Sequence, residues 1–574
     1  MQNANLLFTL ASCVFFMGLV AFISWRKTRG GVDSRDGYFL AGRGLGSVFI
    51  AGSLLLTNLS AEQLIGLNGS AYGFNLSSMA WEVTAAVATI AMALIFLPRY
   101  LAGAFTTLPE FLADRFDADV RRMSVVLFML GYGLITIPSV LYSGSIAVIQ
   151  LFDVPGLLGI SYFEALVVTV LTIGGIGSIY AIFGGLKAVA VSDTINGIGL
   201  LIIGILVPVL GLIALGEGDF GLGLDKLVND HPEKLDAIGG ADDPTPFGTL
   251  FTGMLFANLF YWCTNQYVIQ RTLGASSLAE GQKGVLFSGF FKVLVPFMMM
   301  IPGVIAFHLY GPGLGSIDQA YPRLIKDVMP VYLAGFFLAV LLGAVFSSFN
   351  SLLNSAATLF CLDVYGPWRK NTASDADLVR VAKIASIVIA LFSFVVAPLL
   401  YFAEQGLWQI IRIFTGFYNI PTVVIVIMGL FTRHVPAIGA KIVIVFHVTA
   451  YALLRFVFDE AITLHFLHQY AILFVIEVII MLVAGYLRPR ETPWNFTVNA
   501  QVDLKPWRFA KPLAATLFSC VVALYLLFSE IGLASGGGLG TLFYSLMLTI
   551  VLANIIYWSW AARSTRAAAP EHAI

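Results

Sequence analysis

The sequence predicts an all-α membrane protein of about 15 transmembrane helices, with a five-plus-five inverted-repeat core and a discontinuous first helix in each repeat. The composition, the apolar runs and the basic residues support this prediction. Of the 574 residues, 59% are hydrophobic and 11% are charged, whereas soluble proteins carry roughly 25% charged residues. The apolar runs are about 20 residues long, which is the length of helix that crosses the roughly 30 Å hydrocarbon core of a bilayer.

The predicted spans follow one another along the chain with mostly short polar loops between them. An odd number of spans places the two termini on opposite sides of the membrane, and the boundaries are approximate. The predicted spans are 5–25, 47–68, 75–98, 122–150, 158–184, 188–215, 248–270, 284–310, 331–365, 379–403, 407–431, 438–458, 467–487, 511–531 and 539–562.

The basic residues give the orientation, because Lys and Arg accumulate in cytoplasmic loops. The first span lacks a preceding basic region and is followed by Arg26, Lys27 and Arg29. This pattern is typical of an anchor with an external N-terminus rather than of a signal peptide. In this orientation, 25 of the 32 Lys and Arg residues fall in inner segments and four fall in outer loops. We therefore predict a multi-pass protein of the cell inner membrane with a cytoplasmic C-terminus.

The order of the spans divides the chain into five sections. An acidic loop rich in Gly and Pro, 216–247, separates a first block of five spans, 47–215, from a second block, 248–431. Five is odd, so the second block begins on the opposite side of the membrane from the first, which is the arithmetic of an inverted-topology repeat. Section 1–46 holds an extra helix and a cytoplasmic loop, and section 432–574 holds further helices to which no function is assigned.

The charge and the cysteines narrow the classes of function. The net charge is −1, so the sequence predicts no nucleic-acid partner. The four cysteines lie in apolar segments without a Cys-x-x-Cys pair, and we expect free buried thiols rather than a disulfide framework. The histidines lack the spacing of zinc ligands.

The first span of each block is unusually polar at its centre. The polar stretches are 54–66 and 256–267. Polar side chains deep in hydrocarbon face protein or a hydrated cavity, and Asn, Ser and Thr compete with the helical backbone for hydrogen bonds. We therefore expect interruptions near Asn58 and Asn258, where freed carbonyls could bind a cation. The alternative is ordinary hydrogen bonding between neighbouring helices.

Four of the ionisable residues inside predicted spans bear on function, and each needs a partner there. They are Glu82, Asp193, Lys292 and Arg412. Glu82 could pair with Lys292 or with Arg412, and a purely structural ion pair is the alternative to a binding role. Carboxylates and amides hydrogen-bond sugar hydroxyls, and aromatic rings cover the apolar face of a sugar. The candidate sugar-binding residues are Glu82, Gln63, Asn258, Lys292, Tyr261 and Trp262.

These motifs resemble the sodium/solute symporter family, the relatives of the sodium–glucose cotransporters. The segments that carry the resemblance are 58–66 and 258–273, similar to the two broken helices of the family, and 38–43, 107–112 and 343–355. The similarity covers about residues 36 to 431 and is greatest to the bacterial sodium/sugar branch. The resemblance implies a five-plus-five fold that carries sodium and a sugar by alternating access.

The resemblance also implies a sodium site between the first broken helix and the span 331–365. Its ligands would be the carbonyls of Leu56, Leu59 and Ala344 and the hydroxyls of Ser347 and Ser348. Uncharged oxygens suit a hard cation, although the two hydroxyls could instead bond to their own helix. Asp193 matches an acid below this site, which could guide sodium inward or hold a second ion together with Ser351.

Four of the candidate residues, Gln63, Glu82, Asn258 and Lys292, match sugar-contacting positions of the family. Tyr261 matches the aromatic residue that blocks escape toward the cytoplasm. Two positions depart from the family pattern: a glutamine is replaced by Arg412 and a serine by Ala85. A permanent cation favours an anionic group, so an acidic or sulfated sugar, or another small organic solute, is the alternative substrate. Neutralisation of Glu82 is the other role open to Arg412.

Two functions of other classes compete with symport. An intramembrane enzyme could use Glu82 and Lys292 as acid and base, but no motif supplies a nucleophile or a metal site, so we expect no enzyme. A sensor that binds a solute without carrying it would be expected to have a signalling domain, and only 11 residues follow Arg563. The predicted partners are therefore a sugar, sodium and the lipid bilayer.

Overall fold

The computed structural model describes residues 2–28, 34–314, 317–370, 373–402, 407–458 and 461–567. Within these residues the secondary structure is helical, and the extended pairings are two isolated bridges, Leu45–Ala275 and Ser277–Asp503. The predicted all-α class is confirmed.

The α-helices run in chain order with π-helical and 3-10 turns between or beside some of them. The α-helices are α1 (Gln2–Thr28), α2 (Arg35–Leu40), α3 (Ser47–Asn58), α4 (Ala61–Gly73), α5 (Met79–Ala91), α6 (Leu97–Gly103), α7 (Leu108–Arg115), α8 (Ala118–Leu130), α9 (Ile137–Phe152), α10 (Val154–Leu158), α11 (Tyr162–Leu215), α12 (Phe220–Asn229), α13 (Gly253–Leu259), α14 (Gln266–Leu273), α15 (Leu278–Val295), α16 (Ile301–Tyr310), α17 (Ala320–Val328), α18 (Val331–Leu359), α19 (Gly366–Trp368), α20 (Asp375–Leu399), α21 (Leu407–Phe431), α22 (Ala437–Phe456), α23 (Phe466–Leu487), α24 (Ala510–Leu527) and α25 (Thr541–Ala567). The π-helical segments are Met92–Phe96, Gly131–Thr136, Phe260–Thr264, Pro296–Met300 and Phe360–Tyr365.

Fourteen of the 15 predicted spans correspond to candidate membrane-spanning helices among the described residues. Among the residues described, 13 helices are long and apolar enough to cross a membrane, and the number is 14 when the bent pair α3 and α4 is taken as one span. The predicted spans 158–184 and 188–215 both lie in α11. The predicted span 248–270 falls on a divided segment, in which α13 has seven residues and α14 has eight.

Side chains that cap helix ends explain where several helices begin. At the start of α11, Ser161 accepts from the backbone N–H of Glu164, and the Glu164 carboxylate accepts in return from the backbone of Ser161. Ser374 and Asp377 form the same reciprocal pair at the start of α20. Such capping boxes satisfy N–H groups that the helix itself leaves without partners.

Neighbouring helices pack closely around α3, the first half of the first broken span. It packs against α11, α15 and α18. A Cβ at Gly52 would lie 2.8 Å from the Cα of Thr194 in α11, and a Cβ at Gly284 of α15 would lie 2.6 Å from Ile50. Small residues at such crossings let membrane helices approach closely, where van der Waals contact holds them together. The first broken span is therefore enclosed by protein.

The helices after residue 431 are joined to the core by a buried polar pair. His447 of α22 and Glu477 of α23 are fully buried, with His447 Nδ1 2.5 Å from Glu477 Oε1. His447 Nε2 donates to the carbonyl of Gly416 in α21 at 2.8 Å. Because a carbonyl can only accept, Nε2 is the donor in this contact. The Oε1 atom of Glu477 thus has a partner, while Oε2 has none among the described residues, and the pair links three helices.

We expect Glu477→Ala to destabilise the protein by about 3 kcal/mol, because it leaves a buried imidazole without its partner. Glu477→Gln should cost much less, since its amide can donate to Nδ1 of His447. Thermal unfolding of the purified protein in detergent measures both effects. Val475→Ala, on the same helix at a side chain that is 54% exposed, is the matched control. Equal melting temperatures for the Ala and Gln variants would contradict the assigned pairing.

Candidate functional site

The first broken span is interrupted at Leu59 and Ser60, between α3 and α4. Both residues have non-helical backbone angles, and the two helices are bent by 57° relative to each other. The Ser60 N–H donates to the carbonyl of Asn58 at 3.0 Å. In a continuous helix this N–H would bond to the carbonyl of Leu56. The predicted interruption near Asn58 is confirmed, and it releases the Leu56 carbonyl from its helical bond.

The second broken span is interrupted at Asn265, inside the predicted polar stretch 256–267 but seven residues beyond Asn258. A π-helical turn, Phe260–Thr264, leads to Asn265, whose backbone is extended before α14 begins. Tyr132 holds this residue by donating its hydroxyl to the Asn265 side chain. Asn258 lies in α13, and its amide donates to Thr84 Oγ1 at 2.9 Å and to the Met254 carbonyl at 3.2 Å. These bonds let Asn258 remain helical.

A cavity of about 220 Å³ lies between the two breaks. Its wall includes residues of both broken spans and of α5, α9, α18, α21 and α23. Five of the predicted sugar-contacting residues line it, namely Gln63, Glu82, Asn258, Tyr261 and Trp262. The structure therefore brings together residues that are up to about 200 positions apart in the sequence.

Glu82 is paired with Lys292, one of the two partners that the sequence left open. The two side chains form an ion pair and are 3% and 1% exposed. Gln63 Nε2 donates to the second carboxylate oxygen, Oε1, at 3.0 Å, and the Lys292 ammonium lies 5.7 Å from the ring centre of Trp262. Arg412 is on α21, but its side chain lies outside the described part of the chain.

Three polar atoms around the cavity have no hydrogen-bond partner among the described residues. They are Asn58 Oδ1, Gln63 Oε1 and Trp262 Nε1, and all three residues line the cavity. An unsatisfied buried polar group costs about 1–3 kcal/mol. A solute with both hydroxyl donors and acceptors would remove this cost, since two of these atoms accept and one donates.

The oxygens of the predicted sodium site lie where α3 meets α18. Ser348 Oγ donates to the freed Leu56 carbonyl at 3.5 Å. Ala344, Ser347 and Ser348 are buried and share one face of α18, and Leu59 is fully buried at the break. Carbonyl and hydroxyl oxygens are a donor set that suits Na⁺ (compare). The assignment of these five ligands stays a prediction.

A buried polar network lies beside these oxygens and includes both residues of the predicted second ion site. Ser53 Oγ donates to Asp193 Oδ2 at 2.7 Å, and Arg271 Nε donates to Ser53 Oγ at 3.2 Å. Arg271 also donates to Ser351, whose hydroxyl is 3.3 Å from Thr57 Oγ1. Asp193 and Ser351 are thus joined through Ser53 and Arg271, and their role in ion passage stays a prediction.

Sequence reasoning missed Arg271, which it counted among the residues of an inner loop. The side chain is fully buried. Gln270 was missed as well: its Nε2 donates to the Phe39 carbonyl at 2.9 Å and to Asn354 Oδ1 at 3.1 Å. Residues of this motif therefore anchor α14 to its neighbours.

Tyr261 bridges the two broken spans. Its hydroxyl donates to the Thr57 carbonyl at 3.5 Å, next to the first break, while its ring lines the cavity. In the described residues, no group of three or more His, Cys, Asp or Glu side chains is arranged to hold a metal ion. The four cysteines are free thiols.

The chain is similar to known symporters in sequence and in fold. The model of the sodium:solute symporter family matches residues 38–445. The chain is 45% identical to the uncharacterised symporter YidK of Escherichia coli (strain K12), over 96% of each chain. It is 31% identical to a sodium/glucose cotransporter of Vibrio parahaemolyticus, over 79% of this chain and 85% of the relative. A solved Na⁺-coupled sialic acid symporter in an outward-open state is similar in fold, with a TM-score of 0.72 and 21% identity over 84% of this chain and 99% of the other.

The network predicts that the charges of Arg271 and Asp193 stabilise each other in the folded protein. We expect Arg271→Ala to destabilise the protein by about 3 kcal/mol, because the Asp193 carboxylate then remains buried without the guanidinium. Asp193→Asn in the same chain should restore at least about 1 kcal/mol. Thermal unfolding of the parent, the two single variants and the double variant gives the free energies of a double-mutant cycle. Strictly additive losses would show that the two charges do not interact.

Proposed function

The chain belongs to the sodium:solute symporter family, and from this premise we propose that it imports a neutral sugar together with sodium by alternating access. The residues proposed to bind the sugar are Gln63, Glu82, Asn258, Lys292, Tyr261 and Trp262. The proposed sodium ligands are Leu56, Leu59, Ala344, Ser347 and Ser348. In this proposal the sections 47–215 and 248–431 are the inverted repeats, and the N-terminus is outside the inner membrane.

The neutralised carboxylate of Glu82 is the observation that carries the proposal. Its charge is balanced by Lys292, so among the described residues the cavity wall has no uncompensated charge. A carboxylate, amides and aromatic rings suit a solute with many hydroxyls and an apolar ring face. The sodium/glucose cotransporter of Vibrio parahaemolyticus, at 31% identity, supports a neutral sugar.

The break in the first span supports coupling between sodium and the sugar. The Leu56 carbonyl and the side chains of Asn58 and Gln63 belong to the same interrupted segment. Sodium held between Leu56 and Ser348 would fix α3 against α18 and thereby position the polar side chains for the sugar. Such coupling is a reciprocal free energy, typically about 1–3 kcal/mol. Asp193 and Ser351 would then lie on the path by which sodium leaves, or would hold a second ion.

An anionic sugar is the second candidate substrate, and a specific residue favours it. Arg412 occupies a position where the family has a glutamine, and a guanidinium binds carboxylate or sulfate groups. Against this candidate, the Lys292 ammonium is already paired with the Glu82 carboxylate, so this pair offers an anion no uncompensated positive charge. Uptake experiments distinguish the two classes directly.

The first test is uptake of labelled solutes into liposomes that contain the purified protein. We expect an inward sodium gradient to concentrate at least one of D-glucose, D-galactose and myo-inositol without chemical change, because the site is neutral and rich in hydrogen-bonding groups. D-glucuronate and sialic acid represent the anionic class. Accumulation of the anionic solutes alone would replace the neutral sugar with the second candidate. A potassium gradient of equal size is the control, and equal uptake in both gradients would contradict sodium coupling.

The second test concerns the hydroxyl of Ser348. We expect Ser348→Ala to raise the sodium concentration for half-maximal uptake by about 10-fold or more, which corresponds to the loss of one ligand to a charged group. The KM for the sugar at saturating sodium should stay close to that of the parent. Tyr332→Ala, at a side chain on the same helix that is 67% exposed, is the control. An equal loss of sodium and sugar affinity would contradict the assigned role.

A further inference from the structure

Helix α23 lies outside the proposed repeats, yet two of its aromatic side chains line the cavity. They are Phe466 and Tyr470, in the first two turns of the helix. Their spacing of four residues places them on one face. The ring centres are 5.7 Å apart and the ring planes meet at 86°, so the two rings form a corner.

The corner is held in place by contacts between α23 and α13, the first half of the second broken span. A Cβ at Gly253 would collide with the backbone carbonyl of Leu467, so the two backbones touch. Farther along, the rings of Phe256 and Phe474 are stacked with centres 3.8 Å apart. The aromatic corner is therefore fixed relative to α13, which also carries Asn258.

The opposite side of the corner is supported by α22 and α21. The rings of Tyr470 and Tyr451 are 5.9 Å apart, and the Tyr470 side chain also interacts with that of Asn419, another residue of the cavity wall. The Arg455 guanidinium lies 5.7 Å from the ring centre of Phe466 and 5.6 Å from that of Tyr451. These contacts leave the two aromatic rings little freedom to turn away from the cavity.

We propose that Phe466 and Tyr470 of α23 are specificity-determining residues that bind the apolar face of a pyranose or cyclic polyol. The proposal rests on the proposed sugar transport and extends it to a helix outside the five-plus-five core. Aromatic faces pack against the C–H groups of a sugar ring, while Gln63 and Glu82 bind its hydroxyls. In the predicted orientation α23 begins at the outer side of the membrane, so the corner forms the outer part of the wall.

Transport kinetics of Phe466→Ala and Tyr470→Ala test the proposal in liposomes, with D-glucose, D-galactose and myo-inositol as the probes. We expect each variant to raise the KM of the transported solute by about 5-fold, because an aromatic contact is lost, and to change the ratio of kcat/KM between two of the solutes. The sodium concentration for half-maximal uptake should stay within about 2-fold of the parent value, since neither residue is among the proposed sodium ligands. Both measurements are independent of how much of the protein is folded.

Two matched variants separate solute contact from structure. Tyr470→Phe keeps the ring and should keep the KM within about 2-fold. Ile472→Ala alters the same helix at a side chain that is 51% exposed and should not change the selectivity. A thiol introduced by Phe466→Cys should react with a membrane-impermeant maleimide and be protected by sodium together with the transported sugar.

The outcomes are distinguishable. An active parent whose two Ala variants keep its KM and selectivity, or lose only maximal rate, overturns the role of α23 and leaves sugar transport standing. A thiol at position 466 that sodium and sugar do not protect has the same consequence. If the parent concentrates none of the three solutes, the proposed function is contradicted. The proposed role of α23 is then contradicted as well, because it rests on that function.

Discussion

Inside a lipid bilayer no water is available to bond the backbone, so a helix can stop there only where the protein supplies partners. Both interrupted spans meet this constraint through side chains of other helices. At the first break, Ser348 donates to the Leu56 carbonyl and Tyr261 donates to the Thr57 carbonyl. At the second, the backbone N–H of Tyr267 donates to the Tyr132 hydroxyl at 3.4 Å, and this hydroxyl donates to the Asn265 side chain. The helices that supply these partners are necessarily those that surround the cavity.

The same constraint governs the charges. Glu82 is paired with Lys292, and Asp193 is joined to Arg271 through a serine hydroxyl. An isolated ionised group in hydrocarbon costs about 3 kcal/mol or more, and removing one member of a pair leaves that cost uncompensated. The cavity wall can therefore include a carboxylate whose charge is balanced by a neighbouring cation.

The helices beyond residue 431 are part of this arrangement rather than a separate addition. The buried pair of His447 and Glu477 connects α22 and α23 and reaches the Gly416 carbonyl of α21. Through α23 the same unit contacts α13 and reaches the cavity. Section 432–574, which lies outside the two predicted repeats, thus contributes residues to the wall of the cavity.

The sequence by itself determined the spans, their orientation as a prediction, and the two polar centres at which helices are interrupted, because hydropathy and helix-breaking side chains are local properties. It also identified Gln63, Glu82 and Asn258 as candidates, partly through a family resemblance. The tertiary structure showed that Lys292 pairs with Glu82. It also showed that the second break lies at Asn265, where a π-helical turn ends. Only the tertiary structure showed that α23 lines the cavity. Such contacts join segments about 200 or more residues apart, and only the packing of the whole chain determines them.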